Sequence, residues 1–230
     1  DRDLTFTPKI YTKENVLLLN EYRQAFSNGF LILDTSYTQG YKETSSTKSK
    51  GSRNHIFSQF NWDFAQDQSY EKKLSIQTQT TSNDTFFRVH DINTALVDSE
   101  NTNLESKFSY NFAKNDMYFD FSATVYEDLR KEKSDRYEYI LPNFTYGKTR
   151  FTEKFGMFDF SSNAFYNNYD TDKHTTFFNN DITWSPGSYI TKKGFVNSLG
   201  GMVKNTNYLR AQKQKFQSIK RVMFIMMINR

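Results

Sequence analysis

The residue types that most often carry out chemistry in proteins are few in this chain and widely spaced. The three histidines lie at positions 55, 90 and 174, and none belongs to an HExxH pair or a similar ligand spacing. The absence of cysteine excludes thiolate metal sites, disulfides and cysteine nucleophiles. His90 and Asp91 are adjacent in a predicted loop, where we expect a solvated pair. We therefore predict no metal site and no cofactor.

Enzyme activity is not expected either. The chain has no G-x-S-x-G elbow, no G-x-x-x-x-G-K-[ST] loop and no G-x-G-x-x-G turn, which are the signatures of serine hydrolases and nucleotide sites. A triad of distant Ser, His and Asp stays open, but nothing in the sequence selects its members. We assign no catalytic residue and predict that the protein is not an enzyme.

The elements that position the side chains are predicted to be strands, because the dominant pattern has a period of two. Phe108, Tyr110 and Phe112 alternate with Lys107 and Asn111, as side chains on opposite faces of a strand do. The same alternation recurs along the chain and predicts about eleven strands. The candidate strands are 3–11, 17–26, 30–38, 56–64, 73–80, 104–113, 117–125, 137–146, 158–166, 178–184 and 194–207.

Composition agrees with a thin fold that has one apolar face. The chain has 230 residues, of which 37% are hydrophobic and 17% aromatic, and its mean hydropathy is -0.77. So many aromatic residues argue against disorder, while the polar average argues against a thick core. The net charge of +4 comes from charges that mostly alternate in sign, so we predict no nucleic-acid binding.

The lengths of the links between strands alternate between short and long, which indicates up-and-down order. Short links are expected at 27–29, 66–71, 114–116, 147–154 and 185–193, and longer polar ones at 39–53, 83–103, 127–136 and 167–174. Short links at one end and long links at the other are typical of outer-membrane barrels, as are strands of about 9–11 residues. A soluble antiparallel sandwich has the same alternation and stays an alternative.

We predict an all-β fold, namely an incomplete, antiparallel up-and-down transmembrane β-barrel segment with about eleven strands of a larger barrel. Because the chain starts at Asp1 without a methionine, we expect it to be a fragment. Residues 1–218 are expected to form the partial barrel domain, with the early strands. Residues 219–230 lack alternation, are not expected to form a strand, and are interpreted as an atypical tail from a truncation or frameshift.

Four segments, taken in order, resemble the barrel of the LptD family, the lipopolysaccharide-assembly proteins also called organic solvent tolerance or OstA proteins. The segments are DRDLTFTPKIY at 1–11, NEYR at 20–23, SNDTFF at 82–87 and YEYILPN at 137–143. The resemblance implies an outer-membrane translocon of a Gram-negative bacterium that inserts lipopolysaccharide into the outer leaflet. It also implies a plug lipoprotein (LptE-like) and a periplasmic bridge protein (LptA-like) as partners.

The resemblance implies that lipid leaves the lumen through a lateral seam at the first strand. Pro8 supports a weak seam because proline cannot donate to a ladder, although it also occurs at bulges and protected edges. We therefore expect a lateral-gate strand. Its members are Leu4, Phe6, Pro8 and Ile10.

Polar residues of the strands are predicted to line the lumen, to meet a plug or to pair across strands. They are Thr5, Thr7, Lys9, Gln77, Glu105, Lys107, Asp120 and Asp181. The loop at 39–53 is expected to contact lipopolysaccharide phosphates through its basic residues, with a solvated loop as the alternative. These basic residues are Lys42, Lys48, Lys50 and Arg53.

Two further functions stay open at this point. One is a soluble or surface carbohydrate-binding β-sandwich that uses exposed aromatic residues. The other is an outer-membrane porin or lipase barrel.

Overall fold

The computed structural model describes residues 1–40, 51–64, 70–132, 134–170, 173–212 and 215–229, with the backbone alone at 212 and 215–229. Within these ranges the chain forms strands and one short helix, α1, at Phe86–His90. The strands are Arg2–Lys9 (β1), Leu17–Phe26 (β2), Gly29–Thr38 (β3), Arg53–Asp63 (β4), Glu71–Thr81 (β5), Asn103–Lys114 (β6), Met117–Asp128 (β7), Tyr137–Thr152 (β8), Gly156–Tyr169 (β9), Lys173–Ser185 (β10), Ser188–Ile190 (β11), Val196–Gln212 (β12) and Lys215–Asn229 (β13).

The strands belong to one antiparallel sheet in which neighbours in sequence are neighbours in space. The order runs from β1 to β10 without a crossover, β12 follows β10, and both β11 and β13 pair with β12. In the part of the chain that the structure describes, β1 pairs with β2 alone and the sheet is not closed. The all-β class and the up-and-down order expected from the sequence are thus confirmed.

All eleven strands expected from the alternation are present. Strand β8 also extends through most of the short link expected at 147–154, β11 lies within the link expected at 185–193, and two further expectations are wrong. Residues 219–230 were not expected to form a strand, yet β13 includes most of them and pairs with β12 from Gln212–Lys215 to Ser198–Asn229. A long link was expected at 167–174, yet β9 and β10 pair as far as Tyr169 and Lys173. In both places the backbone of a neighbouring strand provides the hydrogen bonds, which a search for alternation does not detect.

The chain divides into two compact units. Unit 1 is Asp1–Phe64, Lys73–Ser109 and Thr124–Glu138, and unit 2 is Ala65–Lys72, Tyr110–Ala123 and Tyr139–Arg230. Unit 1 has a cluster of fully buried apolar side chains, described below. Unit 2 includes the long hairpin of β9 and β10, whose strands pair from Met157–Ser185 to Tyr169–Lys173.

None of the helices in the described ranges has the length and apolar character needed to cross a membrane.

Candidate functional site

Strand β1 is at one edge of the sheet and exposes its apolar side chains. Leu4 and Phe6 are 68% and 56% exposed, and Ile10, just after the strand, is also exposed. Pro8 lies opposite Leu18 in the β1–β2 register, where it has no N–H to donate. The four residues expected in a gate strand therefore lie at a free strand edge or directly beside it.

The other face of β1 is polar and carries three of the residues expected to face the lumen. Thr5, Thr7 and Lys9 lie opposite Glu21, Leu19 and Leu17 of β2. Because directly opposed residues point to the same side of a sheet, all six share one face. We call this side of unit 1 the inner face, without implying a closed lumen.

A segment at residues 82–102, which we call the cap, packs on the inner face of unit 1. It contains α1, and its side chains Phe86, Phe87, Ile92 and Val97 are buried. They form one cluster with buried apolar residues of three strands and of the loop after β7. These residues are Leu17, Phe57, Leu104 and Leu129. The long link expected at 83–103 is present between β5 and β6, but it contributes a buried apolar cluster that was not expected. Four apolar side chains spaced irregularly in a polar segment leave no periodic signal.

Beneath the cap lies a hydrogen-bonded set of Asp34, Ser36 and His55. Their side chains are 1%, 3% and 1% exposed. His55 is opposite Ser36 in the β3–β4 register. The Ser36 Oγ lies 2.5 Å from Nδ1 of His55, and the Nε2 of His55 lies 3.1 Å from Oδ1 of Asp34. We call these three residues the inner-face network.

The roles within the inner-face network follow from what each group can donate. An ionised carboxylate only accepts, so Nε2–H of His55 donates to Asp34. The Nδ1 of His55 then accepts, and the Ser36 hydroxyl donates to it. Serine, histidine and aspartate have these contacts in hydrolases too, but here the rings of Phe57 and Phe87 lie 5.4 Å from the His55 ring. The arrangement supports a polar core contact beneath an aromatic cover.

No short motif reveals this network in the sequence. Asp34 and Ser36 are two residues apart, which places them on one face of a strand, but His55 joins them only through the strand register. The useful signal is that Asp34 interrupts the otherwise apolar first half of the strand Gly29–Thr38 and lies on the same face as Ser36.

Two polar contacts fasten the cap to the strands around it. Lys9 Nζ donates to the carbonyl oxygens of His90 and Asp91 at 3.1 and 2.7 Å, at the C-terminal end of α1. Arg136 donates to both carboxylate oxygens of Asp84 at 2.8 and 2.7 Å. A bidentate pair of this kind fixes orientation as well as distance. The cap is thus bound to the edge strand β1 at one end and to the loop before β8 at the other.

His90 is buried in the cap, so the expectation of a solvated His90–Asp91 pair is wrong. Its ring packs on Phe86 at 5.1 Å and on Tyr11 at 5.6 Å between centroids. Burial lowers the pKa of His90 below its usual value, with Lys9 and Arg53 acting in the same direction and Glu14 against it. The neutral imidazole is therefore favoured where the cap is packed.

Acid is expected to loosen the cap through His90. Because the folded pKa lies below the unfolded one, the unfolded chain binds more protons as the pH falls through about 6.5. The contribution of His90 is thus fully present above that pH and is lost as the pH falls below it. Hydrogen exchange of residues 86–92, corrected for the intrinsic rate, should be faster at pH 5.5 than at pH 7.5.

The substitution His90→Phe should remove most of this pH dependence, and His174→Phe is the matched control that should retain it. Equal protection at both pH values in the native chain would contradict the role of His90.

The remaining residues expected to face the lumen have polar neighbours in their own unit. In unit 1, Gln77 Nε2 donates to the carbonyl of Glu105 at 3.4 Å, and Lys107 is exposed. In unit 2, Asp120 accepts from Asn111 Nδ2 at 2.7 Å, and Asp181 pairs with Lys204 at 3.3 Å. The structure therefore brings Gln77 and Glu105 together, whereas each of the two aspartates pairs locally.

In each unit, the opposite side of the strands exposes apolar side chains among polar ones. In unit 1 it includes Ile56, which lies opposite Thr35 and Thr80 in the registers with β3 and β5. In unit 2, Ile182 lies opposite Phe160 of β9 and Val203 of β12, and all three are exposed. We call this side the outer face of its own unit, and the opposite, polar side of unit 2 the inner face of that unit. A large apolar surface of this kind marks contact with a lipid or a protein.

The basic loop is described only in part. Lys42, Lys48 and Lys50 lie outside the described residues. Arg53 begins β4 and is half-buried. Its expected contact with phosphates stays a prediction.

The described residues contain no group of three His, Asp or Glu side chains that is placed to hold a metal ion. The comparison with protein-family models returns no match, and neither does the comparison with curated proteins.

Proposed function

We propose that this chain is part of an outer-membrane β-barrel of a Gram-negative bacterium, in which it guides lipopolysaccharide towards the outer leaflet. In this proposal the lipid passes along the polar inner face and leaves sideways at strand β1. The observation that carries the proposal is the pairing of an exposed apolar outer face with a hydrogen-bonded polar face on the same strands.

The outer face of unit 2 suits lipid because large apolar side chains are exposed side by side on three of its strands. On β9, β10 and β12, Phe160, Ile182 and Val203 lie side by side in register. Membrane barrels present apolar residues outwards and polar residues inwards on alternating positions. Strands such as β2 and β4, with 10 and 11 residues, have the length needed for a tilted membrane strand.

The inner face suits an amphiphile with a charged headgroup because its polar groups form short contacts along the strands. In unit 2, Thr206 Oγ1 donates to Asn179 at 2.6 Å and Thr149 Oγ1 donates to Asp159 at 2.6 Å. Such hydroxyl, amide and carboxylate groups tolerate water and polar cargo, which an apolar interior does not.

Strand β1 supports lateral exit because it combines a free edge with Pro8 and exposed apolar side chains. Its far side has no strand partner among the described residues. An exposed apolar edge is an aggregation hazard in a soluble sheet. In a membrane barrel the same edge becomes a seam whose pairing with a closing strand is weakened by proline. The resemblance to the LptD family adds a plug lipoprotein and a periplasmic bridge protein as proposed partners.

Photocrosslinking in cells tests the proposal. A benzoylphenylalanine placed at Phe6 should form an adduct with lipopolysaccharide, because the cargo passes this strand. The adduct is detected by immunoblotting with an antibody against lipopolysaccharide. The matched control is the same probe at Phe160, which is also exposed on the outer face but lies on the central strand β9. We expect adducts at position 6 to exceed those at position 160 about tenfold, a difference of about 1.4 kcal/mol in occupancy.

Equal labelling at the two positions would contradict transport at β1, since annular lipid contacts both. Recovery of the chain as a soluble, detergent-free monomer would contradict the membrane assignment itself and favour the soluble sandwich.

A further inference from the structure

A short hairpin of unit 2, formed by β11 and the start of β12, exposes apolar side chains on both of its faces. Tyr189, Ile190, Phe195 and Val196 are 71%, 66%, 67% and 54% exposed. Ile190 pairs with Val196 and Tyr189 with Asn197. Packing within so short a hairpin does not bury these four large apolar side chains.

The tip of the hairpin holds two lysines in a fixed turn. Phe195 N–H donates to Thr191 Oγ1 at 3.1 Å, and Thr191 N–H donates to the Phe195 carbonyl at 2.8 Å. Gly194 completes the turn with a φ of 84°, which glycine adopts without strain. Lys192 and Lys193 lie between these anchored ends and are exposed.

The turn between β8 and β9 lies beside the hairpin and adds the same kinds of side chain. Trp184 Nε1 donates to the Phe155 carbonyl at 2.7 Å. A Cβ on Gly156 would overlap the backbone of Pro186, so this turn contacts the link between β10 and β11, which leads into the hairpin. Lys154 Nζ lies 5.4 Å from the exposed ring of Phe155. We call Lys154, Phe155, Tyr189, Lys192, Lys193 and Phe195 the basic aromatic rim.

The charge of this part of the chain has one sign. From residue 182 onwards the sequence has nine Lys and Arg and no Asp or Glu. The charges therefore do not alternate here as they do elsewhere, although Glu153 precedes Lys154 in the turn between β8 and β9.

We propose that the basic aromatic rim binds the anionic headgroups of phospholipids at the membrane surface. The aromatic rings occupy the boundary between headgroups and acyl chains, and the lysine stems extend from there to the phosphates. A bilayer fits better than a protein partner because the rim continues the outer face, where Phe158 and Ile182 lie on the strands that end at it. The inference rests on the proposed function and adds a lipid class to it.

Native tryptophan fluorescence in vesicles tests this binding. The substitution Trp62→Phe leaves Trp184 as the sole tryptophan, next to Phe155 of the rim. Vesicles contain equal parts of phosphatidylglycerol and phosphatidylcholine, with one or the other brominated as the quencher. We expect brominated phosphatidylglycerol to associate near Trp184 at least about five times more strongly, because a single lysine near an anionic surface already contributes about 1 kcal/mol.

The pair of substitutions Lys192→Gln and Lys193→Gln should lower this ratio several-fold, while Lys154 keeps a part of it. The matched pair Lys13→Gln and Arg88→Gln removes the same charge from exposed positions of unit 1 and should leave the ratio unchanged. In the Trp184→Phe chain, Trp62 should show no preference between the two lipids.

A ratio near one in the Trp62→Phe chain, or a ratio that the two lysine substitutions do not lower, overturns the rim alone, since insertion is then still observed. If neither brominated lipid quenches Trp184, both the membrane assignment and the rim are overturned.

Discussion

Replacing His55 with leucine is expected to lower the free energy of unfolding of unit 1 by about 3–5 kcal/mol. The substitution leaves the Asp34 carboxylate buried without its donor, and its other oxygen, Oδ2, already has no hydrogen-bond partner among the residues that the structure describes. A buried carboxylate that loses its hydrogen-bond donor stays desolvated without compensation, which costs more than the about 1–3 kcal/mol of a neutral polar group. Urea titration of the refolded chain in detergent micelles, followed by tryptophan fluorescence, measures the loss.

The double variant Asp34→Leu with His55→Leu should recover a large part of that loss, since an apolar pair leaves no unpaired charge. The matched control is Asn54→Leu, an exposed neighbour on β4, which should change stability by less than about 0.5 kcal/mol. If His55→Leu lowers the free energy of unfolding by less than about 1 kcal/mol, the inner-face network is not a stabilising core contact. Solvent would then have to reach the Asp34 carboxylate.

A single lysine on the outer face should destabilise the chain far more than one on the inner face. Ile76 lies opposite Phe60 on the outer face, and Gln77, its neighbour on β5, lies opposite Gln59 on the inner face. A lysine at the bilayer midplane costs about 2–4 kcal/mol. We expect Ile76→Lys to lose that amount in lipid vesicles, whereas Gln77→Lys loses less than about 1 kcal/mol.

The two substitutions change adjacent positions of the same strand to the same residue, so each is the control for the other. Equal losses in vesicles would contradict the assignment of faces. A loss for Ile76→Lys that is the same in vesicles and in a lipid-free buffer would point to packing against protein rather than lipid.

The inner and outer faces were predictable where alternation is regular. Phe60, Trp62 and Leu74 were expected on the apolar face, and Gln59, Asn61 and Ser75 on the polar face, and the β4–β5 register pairs them in this way. This succeeds because the side-chain period of a strand is two whatever lies beside it. Strand β13 was missed because Val222 to Ile228 is apolar throughout, which conceals the period.

The cap was the largest failure of sequence reasoning. Phe86 and Phe87 are adjacent in a segment rich in polar residues, and no helical or strand period brings them to one face. Their burial depends on Phe57 and Leu104, which belong to strands distant in sequence. The same distance in sequence hides His55 from Asp34 and Ser36.

The sequence by itself determined the antiparallel strands, the two faces and the position of Pro8 on the first strand, because each depends on local spacing and backbone chemistry. The tertiary structure decided which polar residues meet and what covers them. The register of β3 and β4 joins His55 to Ser36, and the cap then seals both from water. Those contacts depend on long-range packing free energy, which no local pattern of residues encodes.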